Sequence, residues 1–86
     1  MRASHILVAS LDQAKSILAE ANTLNFGTLA QQHSSCPSKA RGGDLGDFGP
    51  GQMVKPFEDA TQSTPVGSIS QPVQTQFGWH LLHRTA

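Results

Sequence analysis

Nineteen consecutive residues, Ser34 to Gln52, contain five glycines and two prolines and follow neither a helical nor a strand period. A connection of that size is too long for routine linking in a chain of 86 residues, so it is a candidate functional loop. Within it, Leu45-Gly46-Asp47-Phe48 can supply a short strand. No repeat, low-complexity tract or linker divides the chain, and residues 1–86 are expected to form one domain around one small core.

The regular elements lie on both sides of the loop. Residues 3–9 read as a strand, with Ile6 and Val8 on one face and His5 and Leu7 on the other. Ser10 is placed as a helix N-cap, with Gln13 three residues on and Asp12 in the first turn. Leu11, Ala14, Leu18 and Ala21, flanked by Ile17, form a helical stripe that fades near Asn22. Asn25 is expected to cap a second helix whose apolar stripe is Phe26, Leu29, Ala30 and His33. Pro56 suits the first turn of a third, short helix through Phe57, Glu58, Asp59 and Ala60. Pro65-Val66-Gly67 marks a turn, and Ile69 to Gln74 reads as a strand that Pro72 confines to an edge. After a turn at Gln76-Phe77-Gly78, Trp79 to Arg84 is the last strand. The order β-α-α-β-α-β-β, with strands at both ends, predicts an α+β domain with helices covering an antiparallel sheet.

Composition narrows the function classes. Six Lys/Arg balance six Asp/Glu, and only 14% of residues are charged. Binders of nucleic acid or of membrane surfaces carry a basic excess, so neither partner is expected. No apolar run approaches the length of a membrane span, and no signal peptide is read at the N-terminus. One cysteine, Cys36, allows neither an internal disulfide nor a cysteine-based zinc site; a cytoplasmic, monomeric protein is the expectation.

Four histidines stand out in so short a chain. If the first and last strands are neighbours, His5 and His80 can meet on one face beside Leu7 and Leu82. His83, an odd number of residues from His80, then points the other way, which argues against a His80/His83 metal pair. His33 reads as structural. Cys36, in a Ser-Ser-Cys-Pro-Ser loop start, is either a nucleophile paired with histidine, a polar participant in a cleft, or a small buried apolar residue. The glycines at 42, 43, 46, 49 and 51 do not spell a phosphate loop and read as turns. Met53 and Phe57, four apart, fit either ordinary core or the floor of an apolar pocket.

Together these segments resemble the parvulin-type peptidyl-prolyl cis/trans isomerases. The motifs are Ala3-Ser4-His5-Ile6-Leu7-Val8, Phe26-Gly27-x-Leu29-Ala30, and Ser35-Cys36-Pro37-Ser38 running into Arg41-Gly42-Gly43-Asp44-Leu45-Gly46-Asp47-Phe48. Gly51 to Ala60 and Phe77-Gly78-Trp79-His80 follow in the family's order and spacing, so the resemblance spans the chain from Arg2 to Arg84. It implies a four-stranded antiparallel sheet surrounded by helices, with an active cleft on one sheet face.

By position, His5 and His80 correspond to the paired histidines of that cleft, and Thr75 to a hydroxyl that bonds into their network. Cys36 corresponds to the family's central thiol, which some members replace with Asp. Leu45, Met53, Phe57 and Phe77 correspond to the walls of a proline pocket, with Leu7 alongside. The implied activity is isomerisation of X-Pro bonds in peptides and unfolded proteins, without cofactor or metal; a non-catalytic peptide-binding or chaperone module is the alternative. A non-covalent mechanism through a twisted amide is expected, since members with Asp at the thiol position have no such nucleophile. Phosphate-directed members carry Lys/Arg just after the first strand. Here Ala9-Ser10-Leu11-Asp12 has none, which predicts a preference for uncharged or apolar residues before proline.

Overall fold

The computed structural model describes residues 1–86. In chain order the elements are β1 (Arg2–Val8), α1 (Leu11–Glu20), α2 (Phe26–His33), a 3₁₀ turn (Pro37–Arg41), β2 (Asp44–Asp47), α3 (Lys55–Ser63), β3 (Val73–Thr75) and β4 (Gly78–Arg84). This is the order the sequence predicts, with one extra turn inside the long loop. The sheet runs β2-β1-β4-β3, and every neighbouring pair is antiparallel. The first and last strands are therefore its central pair, in register from Ala3↔Arg84 to Val8↔Trp79.

Both faces of the sheet are covered, because successive side chains of a strand point to opposite sides. Ile6, Val8 and Leu81 pack on one side against Ala14 and Ile17 of α1 and Phe26, Leu29 and Ala30 of α2. On the other side Ala3 and Leu82 meet Phe48 and Phe57, with Met1, Leu45, Met53, Val54 and Ala60 around them. This second layer is thinner. Only α3 and the long loop cover it, and the cleft described below opens there.

The local chemistry accounts for the ends of the elements. Ser10 caps α1 by accepting a hydrogen bond from the Gln13 N–H through its side chain. Asn25 stands before α2 but its side chain makes no capping bond to the helix. It turns back to accept from the Asn22 N–H, while Asn22 Oδ1 accepts from the N–H groups of Leu24 and Asn25. The two asparagines thus tie the α1–α2 turn to itself.

Like the Asn25 cap, two further expectations need correction. His33 does not belong to a covered stripe: it is exposed on the last turn of α2. The reason is that the chain turns away at once. Ser34 Oγ accepts from the Leu7 N–H and Ser35 N–H donates to the Leu7 carbonyl, so nothing is left to cover the i+7 position. The strand expected over Ile69 to Gln74 is also broken. Ile69 makes an isolated bridge to His83, and regular pairing resumes only at Val73↔His80, one residue out of register. Between them lies Pro72, which has no N–H to give, and Ser70 Oγ takes over as acceptor for the Leu82 N–H.

Candidate active site

Cross-strand register brings the two histidines together. His5 pairs with Leu82 and Leu7 with His80, so the histidines are diagonal neighbours on the α3 side of the sheet. Their rings lie nearly parallel, 5.2 Å apart at 18°, and the two Nδ1 atoms are 3.0 Å apart. Both side chains are buried. The Phe57 ring stands edge-on to each, with centroids 5.6 Å from His5 and 5.3 Å from His80. His83 points to the opposite face, where its ring packs 5.6 Å from Phe26, as strand parity requires.

Hydroxyls hold the pair at both ends. Thr75 Oγ1, on β3, is 2.7 Å from His80 Nε2 and also accepts from the Phe77 N–H at 3.2 Å. Ser38 Oγ, in the 3₁₀ turn, is 3.2 Å from His5 Nε2 and 3.3 Å from Cys36 Sγ. No buried side-chain nitrogen or oxygen is left without a partner. Burial pushes the His5 imidazole down to about 4, with the neighbouring His80 adding to the effect, and burial also lowers His80. Both rings are therefore neutral at pH 7. Across the short Nδ1–Nδ1 contact, one ring must supply the proton and the other the lone pair.

Gly43 brings the 3₁₀ turn close enough for Ser38 to reach β1. Its carbonyl accepts from the His5 N–H at 2.9 Å, and its N–H donates to the Ser38 carbonyl at the same distance. Its φ is +82°, and a Cβ there would collide with the His5 carbonyl. No residue with a side chain fits.

A cleft of about 500 Å³ opens beside the histidines. Apolar side chains line it from well-separated parts of the chain: Leu7, Leu45, Met53, Val54, Phe57 and Phe77. His5, His80 and Cys36 supply its polar surface, together with Ser35 and Gln52. Phe77 is 61% exposed at the turn before β4, and Cys36 is half-buried. Eight of the nine residues singled out from the sequence thus border the cleft, and Thr75 stands behind, bonded to His80. Ser38, Val54 and Gln52 were not singled out. Ser38 lies within the Ser-Cys-Pro-Ser motif, but only the fold shows that its hydroxyl meets His5. No three His, Cys, Asp or Glu side chains lie close enough together to hold a metal ion.

The profile of the rotamase family, described as a PPIC-type PPIase domain, matches residues 5–86. The chain belongs to the parvulins. It is 46% identical to foldase protein PrsA 4 of Bacillus cereus over 87 residues, covering 99% of this chain and 31% of that one. It is 49% identical over 80 residues to the peptidyl-prolyl cis-trans isomerase Pin1 of Arabidopsis thaliana, covering 91% of this chain and 67% of that one. The solution structure of NmPin, the parvulin of Nitrosopumilus maritimus, superposes with a TM-score of 0.85 at 38% identity. That match covers 100% of this chain and 95% of NmPin. The chain spans about a third of the length of the PrsA foldase it matches. As a parvulin it is a peptidyl-prolyl cis/trans isomerase domain, with the four-stranded sheet and helices of that family.

Proposed function

We propose that this parvulin domain isomerises X-Pro bonds in peptides and unfolded protein segments without a covalent intermediate, and that it favours uncharged or apolar residues before proline. One observation carries the reading: an apolar-walled cleft ends on a neutral, fully hydrogen-bonded histidine pair.

An uncatalysed X-Pro bond crosses a barrier of about 18–20 kcal/mol in tens to hundreds of seconds. Reaching milliseconds takes about four to five decades, or about 5.5–7 kcal/mol. No bond breaks. The transition state is a twisted amide without resonance, so its carbonyl is less polar than in the planar ground state and its nitrogen carries a localised lone pair. Met53, Phe57, Leu45 and Phe77 offer the proline ring an apolar seat and displace the water that favours the polar, planar form. With the ring held, the preceding carbonyl is the part that rotates. His5, His80 and Cys36 border its path as fixed dipoles that need no reorganisation. Covalent attack by Cys36 is not needed in this scheme.

The substrate preference follows from charge. The segment Ala9-Ser10-Leu11-Asp12 offers a phosphate no cation, and Asp12 would repel it. NMR exchange spectroscopy on Leu-Pro, Ala-Pro, Glu-Pro and phospho-Ser-Pro in one peptide frame tests both halves. Leu-Pro and Ala-Pro are expected to exchange fastest, and Cys36→Asp is expected to keep substantial activity. Binding without faster exchange would make this a peptide-binding module. A ten-fold advantage for phospho-Ser-Pro, about 1.4 kcal/mol in the transition state, would overturn the preference and point to Lys39 or Arg41 on the 3₁₀ turn. Loss of activity in a folded Cys36→Asp variant would overturn the non-covalent mechanism.

A further inference from the structure

Gln52 and Met53 reach the cleft from a short strap, Gly49 to Met53, between β2 and α3. Its sequence shapes it. Pro50 presets the first central position of a turn, and Gly51 takes the positive φ, +84°, that the second requires. The Gln52 N–H donates to the Gly49 carbonyl at 3.3 Å, and the Gln52 side-chain oxygen accepts from the Gly49 N–H at 2.6 Å. The strap is thus closed on itself as a small unit.

It is tied to the rest of the domain much more sparsely. The chain is fixed just before it, where the Phe48 N–H donates to the Met1 carbonyl at 2.7 Å and the Met1 amino group donates to the Phe48 carbonyl at 2.9 Å. It is fixed again just after it, where the Val54 carbonyl accepts from the Glu58 N–H at 3.0 Å. Between those points a single hydrogen bond leaves the strap: the Gly51 N–H donates to Glu58 Oε1 at 2.7 Å. Nothing lies within 4 Å of the place a Cβ would take at Gly49 or Gly51, so no neighbour props the strap from outside. Met53 adds only a partly buried apolar contact. Glu58 itself is well placed to hold on. It follows the buried Phe57 on α3, and an acid in the first turn suits the helix N-terminus.

We propose that Glu58 is a positioning residue for the proline seat: by holding Gly51 it keeps Met53 beside Phe57 and sets how tightly the cleft grips the ring. The proposal rests on the apolar seat of the isomerase reading and adds what tunes its affinity. Without the bond the strap can swing on its two ends, and only molecules with Met53 seated bind at full strength. One seated molecule in ten raises the apparent dissociation constant about ten-fold. Once the ring is bound, the wall is the same as in the parent, so kcat changes little.

Two substitutions separate reach from charge. Glu58→Gln keeps an acceptor at the same reach without the charge. Glu58→Asp keeps the charge in the first turn but withdraws the acceptor by about 1.5 Å, one C–C bond, beyond hydrogen-bonding distance. Amide hydrogen exchange at Gly51, NMR titration with a Leu-Pro peptide, and KM and kcat from exchange spectroscopy are the measurements. Glu58→Asp is expected to exchange the Gly51 N–H about ten-fold faster and to raise both Kd and KM about ten-fold. Its kcat should stay within about two-fold of the parent, with thermal melting nearly unchanged. Glu58→Gln should match the parent throughout. A folded Glu58→Asp variant with parental Kd would show that the seat does not depend on this bond. Glu58→Gln as impaired as Glu58→Asp would show that charge, not reach, matters. A fall in kcat at parental KM would equally overturn the proposal. If Glu58→Asp does not fold, faster Gly51 exchange or weaker binding in Glu58→Gln than in Glu58→Ala overturns it, and the reverse order supports it. A parent that binds the peptide without accelerating its exchange would sink the isomerase reading alone, and the affinities of the variants would still decide the role of Glu58. A parent that binds no X-Pro peptide would overturn both.

Discussion

At the scale of single residues, the cleft separates side chains that hold the fold from those that only border it. Phe57 does both: it is 3% exposed, packs against Phe48 and stands edge-on to both histidines. Phe57→Ala would therefore cost about 3–5 kcal/mol of stability and confound any kinetic reading. Met53 is half-buried at the edge of the same cluster and lines the cleft. Met53→Ala is expected to leave the protein folded and to lower kcat/KM for Leu-Pro peptides by about ten-fold, through a looser seat for the ring. Thermal melting with NMR exchange on that one variant checks it; parental turnover would move the proline seat elsewhere. His5, His80 and Cys36 were legible in the sequence because their motifs are local. Ser38 was not, since nothing in Ser35-Cys36-Pro37-Ser38 says which of its two hydroxyls turns inward. Ser38 is buried and Ser35 exposed only because the 3₁₀ turn rolls one under the sheet.

At the scale of elements, periodicity located the central parts and missed where neighbours intervene. α1 runs from its Ser10 cap with Ala14 and Ile17 buried, close to the stripe its sequence carries. α2 carries the same kind of stripe but loses its last member, His33, because the chain leaves the helix to follow β1. The long loop is the reverse case. Its glycines read as turns: Gly42, Gly43 and Gly51 stand in turns, whereas Gly46 lies within β2, and Gly43 has a particular task in holding the 3₁₀ turn to the His5 backbone. Gly43→Ala combines a positive φ with a backbone collision, so it is expected to cost more than about 2 kcal/mol. That exceeds the roughly 1 kcal/mol expected for losing the α1 cap in Ser10→Ala. Denaturant unfolding of the two variants side by side checks the order; equal losses would mean that the turn relaxes away from β1 without cost.

At the scale of the whole molecule, the buried histidine pair ties global stability to pH. The folded-state value of His5 is about 4 against 6.5 for the free side chain, and His80 is lowered in the same sense. As pH falls below about 6.5, the unfolded chain therefore binds protons that the folded chain refuses. The stability present above pH 6.5 is lost progressively down to about pH 4, where His5 itself protonates. From pH 7 to pH 5 the loss is about 2 kcal/mol from His5 alone, and His80 adds to it. Urea unfolding at the two values measures it, and a flat profile would show that the rings are not held neutral. The sequence by itself determined where most strands and helices lie, that the histidines at 80 and 83 point to opposite faces of the last strand, and which family motifs stand in order. Strand parity and short-range motifs are local properties, and a sequence states them directly. Only the tertiary structure decided that β1 and β4 are central partners in the register that sets the two Nδ1 atoms 3.0 Å apart. It alone made Ser38 the buried link to Cys36, left His33 exposed and reduced the Ile69–Gln74 segment to a bridge and a short strand. Those outcomes depend on contacts between residues dozens of positions apart, where packing, not local preference, chooses among the options the sequence leaves open.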